Sequence, residues 1–210
     1  MLSVINVRQC FCFIMLRQAQ PSDAKAIVDL LVDSFLDKFN AIFGRRINRV
    51  KEALVRYYQQ PNALSGVFVA EVNSETAGII QIVTTNTPNN YRGSLGLLWG
   101  LGVFGAVRAV FAFMAFEHKV ENNECYVEHL AVASAFRGRG IGKRLLGLGE
   151  EVAREKKKTA YSLFVASDNE AALQLYKSTG FLEVKKKRSI ITRLILGKRT
   201  FIFMQKKLSV

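Results

Sequence analysis

The sequence predicts a mixed α/β fold, a sheet with helices on both faces, and three observations carry that prediction. Two apolar, β-branched runs, GVFVAEV and AGIIQIVTT, are separated by Asn73-Ser74-Glu75-Thr76, which is a hairpin signal. In the second part of the chain, strand-like and helix-like runs alternate: CYVEHLAV, RGIGKRLLGLGEEVAREKKK, AYSLFVA, NEAALQLYKSTG and FLEVKKK. Helices that alternate with strands bury their apolar faces by packing on a sheet. Finally, 210 residues of which 50% are hydrophobic, with 3 Pro, suffice for one large domain with a full core.

Taken in order, residues around Met15 to Ala19 read as the first strand. Pro21-Ser22-Asp23 opens an amphipathic helix, AKAIVDLLVDSFLDKF, with Ser22 or Asp23 as its cap. A second helix runs from about Arg46 to Gln59 and ends before Pro61. The hairpin follows, and CYVEHLAV is a further strand. The long helix after it enters through glycines and ends in lysines, which suit the negative end of the helix dipole. AYSLFVA is a buried strand, and NEAALQLYKSTG is a short helix stopped by Gly180. FLEVKKK and TFIFMQKKL supply the last two strands, giving the order β-α-α-β-β-β-α-β-α-β-β.

Residues 1–14 read as an N-terminal extension with Met15 as a second plausible start, and the domain is expected over 15–210. The apolar N-terminal run lacks a clear basic n-region and a small-residue cleavage site, so no signal peptide is expected and the predicted location is the cytoplasm. Cys10, Cys12 and Cys125 have neither the number nor the spacing of a disulfide framework, and with His118 and His129 they make no metal cluster. One segment breaks the rhythm: SLGLLWGLGVFGAVRAVFAFMAF, residues 94–116. It is long enough to span a bilayer, but Arg108 interrupts it, and a span would put two parts of one sheet on opposite sides of a membrane. The expectation is an apolar helix packed on the sheet, inserted between the third and fourth strands at about 85–121; an interfacial helix is the other reading.

The net charge is +13, and residues 123–210 hold 18 Lys and Arg against 8 Asp and Glu. Such a surface attracts nucleic acid, anionic lipid or a phosphorylated cofactor. The stretch AFRGRGIGKRLLGLG, residues 135–149, narrows the choice. A helix N-terminus presents unpaired N–H groups and the positive end of the dipole, and glycines let successive amides converge on one anion. The stretch is neither a GxxxxGK[ST] phosphate loop nor a dinucleotide fingerprint, because no strand-turn-acid pattern follows it.

The order CYVEHLAV, ASAF, RGRGIG, helix resembles the acyl-CoA site of the GNAT superfamily of N-acyltransferases. That family's Arg/Gln-x-x-Gly-x-Gly/Ala signature is matched by Arg137, Gly140 and Gly142. SLFVASDNEAALQLYKSTGF is similar to its second block, with Asn169, Ala172, Tyr176, Gly180 and Phe181 in register, and LRQAQPSDAKAIVDL to its first strand and helix. The resemblance covers nearly the whole chain apart from the first dozen residues and the segment of about 85–121. It implies a mostly antiparallel sheet of about six to seven strands with a splayed central pair. It also implies acetyl-CoA as acyl donor without a metal, an amine acceptor, direct transfer in a ternary complex, and a dimer as a common state. The pantetheine arm would lie along Leu130, Ala131 and Val132, pairing like an extra strand. Amides of Arg137, Gly138, Arg139, Gly140, Ile141, Gly142 and Lys143 would hold the pyrophosphate, with the Arg139, Lys143 and Arg144 side chains on other phosphates and Asn169 on the arm.

Acyl transfer to an amine needs a proton acceptor, a partner for the developing oxyanion and a proton for the leaving thiolate. A strand N–H near Leu130 would meet the oxyanion, and Tyr176 is the expected acid. Strand alternation puts Glu128 on the face of Leu130 and Val132 and makes it the expected base, with Glu124 second and a relayed water as the alternative. His129 falls on the opposite face as a packed residue. His118 and Glu117 close the inserted helix, with a place facing the acceptor as the lesser reading for them, and Trp99, Phe104, Phe111 and Phe113 would give the acceptor pocket a hydrophobic wall. Cys125 has no visible partnered base and reads as a small buried hydrophobe rather than an acyl-enzyme nucleophile.

Two other classes stay open. One is a basic nucleic-acid-binding or ribosome-associated protein using residues 185–188 and 206–207, although these runs lack the aromatic interleaving of a stacking surface. The other is a non-catalytic acyl-CoA-binding regulator of the same fold.

Overall fold

A computed structural model describes residues 13–60, 62–87, 118–188 and 200–209. Seven strands form one sheet: β1 (Ile14–Gln18), β2 (Val67–Val72), β3 (Glu75–Val83), β4 (Glu124–Val132), β5 (Ala160–Ala166), β6 (Leu182–Arg188) and β7 (Thr200–Lys207). Their spatial order is β1-β2-β3-β4-β5-β7-β6, and every neighbouring pair is antiparallel except β4 with β5. Among the described residues the α-helices are α1 (Ala24–Ser34), α2 (Leu36–Phe43), α3 (Ile47–Tyr58), α4 (Ile141–Glu155) and α5 (Glu170–Ser178).

The predicted hairpin is present and tighter than its sequence spacing implies. Val72 pairs with Glu75, leaving a two-residue turn of Asn73 and Ser74 with φ of 51° and 65°. Two positive φ angles in succession match the right-handed twist of the flanking strands. Alternation along both strands then feeds two cores. Val67, Val69 and Ile79 meet Ile27, Val28 and Leu31 of α1 on one face. Ala70, Val72, Ile80 and Ile82 meet Ile141, Leu145 and Leu146 of α4 on the other.

Two expectations change at the first helix. The single helix expected over residues 24–39 is two, because the backbone turns at Phe35 (φ −124°, ψ 32°). The Phe35 ring lies 5.9 Å from that of His129 on β4, a tertiary contact that no glycine or proline announces. Asp23 does precede α1, but its side chain makes no cap bond to the helix. It accepts instead from the Gln20 amide at 2.7 Å and from Arg17 at 2.7 and 2.9 Å, and Arg17 also donates to Glu71 on β2.

The Arg17 hydrogen bonds hold the Asp23 carboxyl below the usual carboxylate range, against the effect of burial. A folded pKa below the unfolded one contributes stability that is full above the unfolded value, near 3.8, and is lost as pH falls through the folded value. Asp23→Asn is therefore expected to cost about 2 kcal/mol at neutral pH, with the difference from wild type shrinking as pH falls below about 3.8, as read by urea unfolding across pH.

The basic runs have structural places. Residues 185–188 lie on β6, an edge strand exposed along its length, where lysines discourage pairing with another chain. Lys206 pairs with Glu150 of α4 at 2.6 Å. The apolar stretch 94–116, with Trp99, Phe104, Phe111 and Phe113, and Glu117 lie outside the described residues. Among the described residues no helix is long and apolar enough to cross a membrane.

Candidate active site

The parallel pair β4–β5 is where the sheet opens. Glu124 to Val127 pair with Ala160 to Leu163, and the register then stops. Beyond that point β4 continues against β3 as far as Val132, while β5 continues against β7 as far as Ala166. The two strands part into a fork, with the β4 backbone from Glu128 to Val132 along one side.

A bulge sits at the base of the fork. Gln81 pairs with His129 and Ile82 with Val127, so Glu128 is an extra residue. An extra residue shifts the alternation of side chains. Cys125 and Val127 before the bulge, and Leu130 and Val132 after it, all join the α4-side core, whereas Ala131 joins the α1-side core. Glu128 therefore does not share a face with Leu130 and Val132, as alternation predicts. It turns with His129 toward α1 and α3. Its charge raises the phenol pKa of Tyr57 and Tyr58 on α3, in each case after burial.

At the mouth of the fork the chain makes a short turn, Ser134–Phe136, and then the glycine loop. Gly138 and Gly140 have φ of 75° and 77°, a left-handed conformation that favours glycine, and a Cβ at either would meet nothing within 4 Å. Gly142 has a different reason to be glycine, since a Cβ there would lie 3.0 Å from Leu175 of α5. The first turn of α4 closes with the Arg144 amide on the Gly140 carbonyl at 3.1 Å, and no side chain caps this end. The amides of Ile141, Gly142 and Lys143 thus point out of the helix, as helix geometry requires. Space without a Cβ beside these amides and the positive helix end fits a phosphate.

Two cations of the glycine loop face elsewhere. Arg137 Nε donates to the Val132 carbonyl at 3.1 Å, and the Arg139 guanidinium lies 5.3 Å from the centre of the Phe136 ring. Lys143 and Arg144 are exposed on the first turn of α4. Asn169 caps α5, its Oδ1 accepting from the Ala172 amide at 3.1 Å. Tyr176, on the same helix, is buried against Phe181, and burial pushes its pKa up to about 12.

Glu124, the second-choice base, lies at the closed end of the fork among donors. It accepts from His118 Nε2 at 3.0 Å, from the Glu121 amide at 3.0 Å and from Ser162 Oγ on β5. Burial alone would raise its carboxyl, and these bonds outweigh burial and hold it low. His118 lies against Tyr126, Phe164 and Phe203. Burial pushes the Cys125 thiol up to about 12, which keeps it protonated at neutral pH. Among the described residues, no group of three or more His, Cys, Asp or Glu side chains is placed to hold a metal ion.

A glycine loop entering a helix at the mouth of a forked parallel pair is matched by a family. Residues 25–181, three quarters of the chain, fit the acetyltransferase (GNAT) family. The chain belongs to that family. An acetyltransferase crystal structure is 26% identical and covers 93% of this chain and 100% of its own, with a TM-score of 0.60. At the level of fold, yncA from Salmonella typhimurium, solved with its cofactor acetyl-CoA, superposes with a TM-score of 0.61 at 20% identity over 93% of this chain and 94% of that one. N-alpha-acetyltransferase 40 of Saccharomyces cerevisiae is 37% identical over 100 residues, which cover 40% of this chain. The match spans 34% of the yeast protein's length.

Tyr57, Tyr58 and two of the donors around Glu124, the Glu121 amide and Ser162, are the residues near the fork that sequence reasoning passed over. Tyr57-Tyr58 lies in the last turn of the predicted second helix, and nothing in that placement indicates a partner on β4.

Proposed function

We propose that this GNAT-family chain is an acyltransferase that moves an acetyl group from acetyl-CoA to a primary amine by direct transfer within a ternary complex. The observation that carries the proposal is the geometry of β4. One strand supplies the open backbone side of a fork and runs directly into a helix end bare enough for a pyrophosphate. Acetyl-CoA supplies the activated thioester. Leu130, Ala131 and Val132 would receive its pantetheine arm along their backbone, and the amides from Arg137 to Lys143 its pyrophosphate. Lys143 and Arg144 have side chains available for further phosphate contacts, while Asn169 has its amide nitrogen for the arm.

Glu128, turned toward α3, takes the proton from the acceptor ammonium directly or through a water. A β4 amide near Leu130 donates to the developing oxyanion. Tyr176 faces a thermodynamic limit. Full transfer from a phenol pushed up to about 12 to a thiolate, whose ordinary value lies lower, is uphill. Tyr176 therefore serves best as a neutral hydrogen-bond donor that steadies the leaving sulfur, while the proton shed by the amine completes the thiol. The likeness to an N-alpha-acetyltransferase supports placing peptide α-amines beside small amines among the acceptors to be tried.

Calorimetric titration with acetyl-CoA tests the reading, followed by thiol release against an amine panel. Binding with a Kd in the micromolar range and amine-dependent thiol release are expected. A folded chain that binds no acetyl-CoA overturns it.

A further inference from the structure

The closed end of the fork is fastened by side chains as well as by strand pairing. Glu124, 3% exposed, spans β4 and β5 through Ser162 Oγ and holds the approach to β4 through the Glu121 amide. Its remaining donor is His118, with Nε2 at 3.0 Å from each carboxylate oxygen. An ionised carboxylate only accepts hydrogen bonds, so Nε2 carries the proton of this pair. The imidazole then covers one aromatic on each of three neighbouring strands. Ring centres lie 4.7 Å away for Tyr126 on β4, 5.7 Å for Phe164 on β5 and 5.3 Å for Phe203 on β7. Phe164 is the first β5 residue beyond the parallel pairing, and Tyr126 precedes the bulge by two positions.

The geometry points to His118 as a positioning residue for acyl transfer, one that fixes through Glu124 and Tyr126 where β4 and β5 begin to part and so where Glu128 stands. The inference rests on the reading of the fork as the acyl-transfer site. Its physical basis is the softness of a strand pair at its end. If the parallel pairing slipped by one residue, β5 and the groups it carries would move relative to Glu128 by about 3.3 Å, the rise of a strand. Reacting groups tolerate misplacement of only about 1 Å before rates drop a hundredfold. Four paired positions give little resistance to such a slip, whereas a buried carboxylate tied to both strands and to an imidazole resists it. Removing the imidazole donor leaves Glu124 buried with one bond fewer, and the carboxylate would then seek water or protonate.

Two substitutions separate the donor from the ring. His118→Phe keeps a ring on Tyr126 and Phe164 but gives Glu124 nothing. His118→Gln keeps an N–H donor and loses the ring. With kcat taken per folded molecule, His118→Phe is expected to lower kcat at least about tenfold, while KM for acetyl-CoA stays within about twofold, because the phosphate loop lies at the other end of the fork. His118→Gln should recover most of that loss. Ser162→Ala, which removes the β5 donor without touching His118, should lower kcat in the same way and serves if His118→Phe does not fold. A loss of stability alone would leave kcat per folded molecule at the wild-type value, so the rescue and the split between kcat and KM distinguish positioning from support. Wild-type kcat in both His118→Gln and Ser162→Ala, together with either wild-type kcat or misfolding in His118→Phe, overturns the inference and leaves the acyltransferase reading standing. A wild-type chain that binds no acetyl-CoA overturns both.

Discussion

Gly140→Asp is expected to raise the Kd for acetyl-CoA at least about a hundredfold while the fold stays intact by circular dichroism. The site allows the substitution sterically, since a Cβ at Gly140 meets nothing within 4 Å. It also allows it conformationally at modest expense, because aspartate and asparagine are the side chains best tolerated at a φ such as 77°. What changes is the charge. A carboxylate would stand at the positive end of α4, beside the amides of Ile141, Gly142 and Lys143. At roughly 5 Å and an effective dielectric of about 20, repulsion from one phosphate charge is about 3 kcal/mol, or more than two decades of affinity. Gly140→Asn separates charge from backbone strain. It should bind within about tenfold of wild type, as strain of 1–2 kcal/mol allows. If Asp and Asn weaken binding equally, the loop does not hold phosphate and the excess comes from distortion. If neither weakens it, the pyrophosphate site lies elsewhere.

What the sequence made legible, and what it hid, divides by the range of the interactions. Local chemistry was readable. The Asn73-Ser74 turn, the glycine entry to α4 and the Gly180 stop (φ 92°) are each written within a few residues. The forked pair was readable only through the resemblance, since no property of CYVEHLAV or AYSLFVA by itself says that two parallel strands part halfway. The bulge at Glu128 was invisible, because one extra residue in β4 is defined by the register of β3 across from it. Alternation reasoning therefore put Glu128 on the wrong face and His129 opposite it. The Phe35 turn, whose ring meets His129 94 positions away, was hidden in the same way. So was the holding of Glu124 by His118 and Ser162. The two arginines could be placed in the glycine loop but not aimed: Arg137 turns back on Val132, and Arg139 on Phe136.

Because the bulge brings Glu128 and His129 to the same side of β4, the identity of the proton acceptor becomes an experimental contrast between neighbours. Glu128→Gln is isosteric and removes only basicity. It is expected to lower kcat by about a hundredfold to ten-thousandfold, the usual contribution of a positioned base, and to leave acetyl-CoA affinity unchanged. His129→Gln should stay within about fivefold of wild type, since its ring packs against Phe35. The expected asymmetry has a structural cause. Glu128 is the residue whose charge reaches Tyr57 and Tyr58, so it faces the space between β4 and α3 where an acceptor amine would approach the fork. A large loss in His129→Gln with little in Glu128→Gln would transfer the role to the imidazole. Wild-type rates in both would leave the proton to a water held by the β4 backbone, and the bulge would then matter for the path of the strand rather than for the groups it carries.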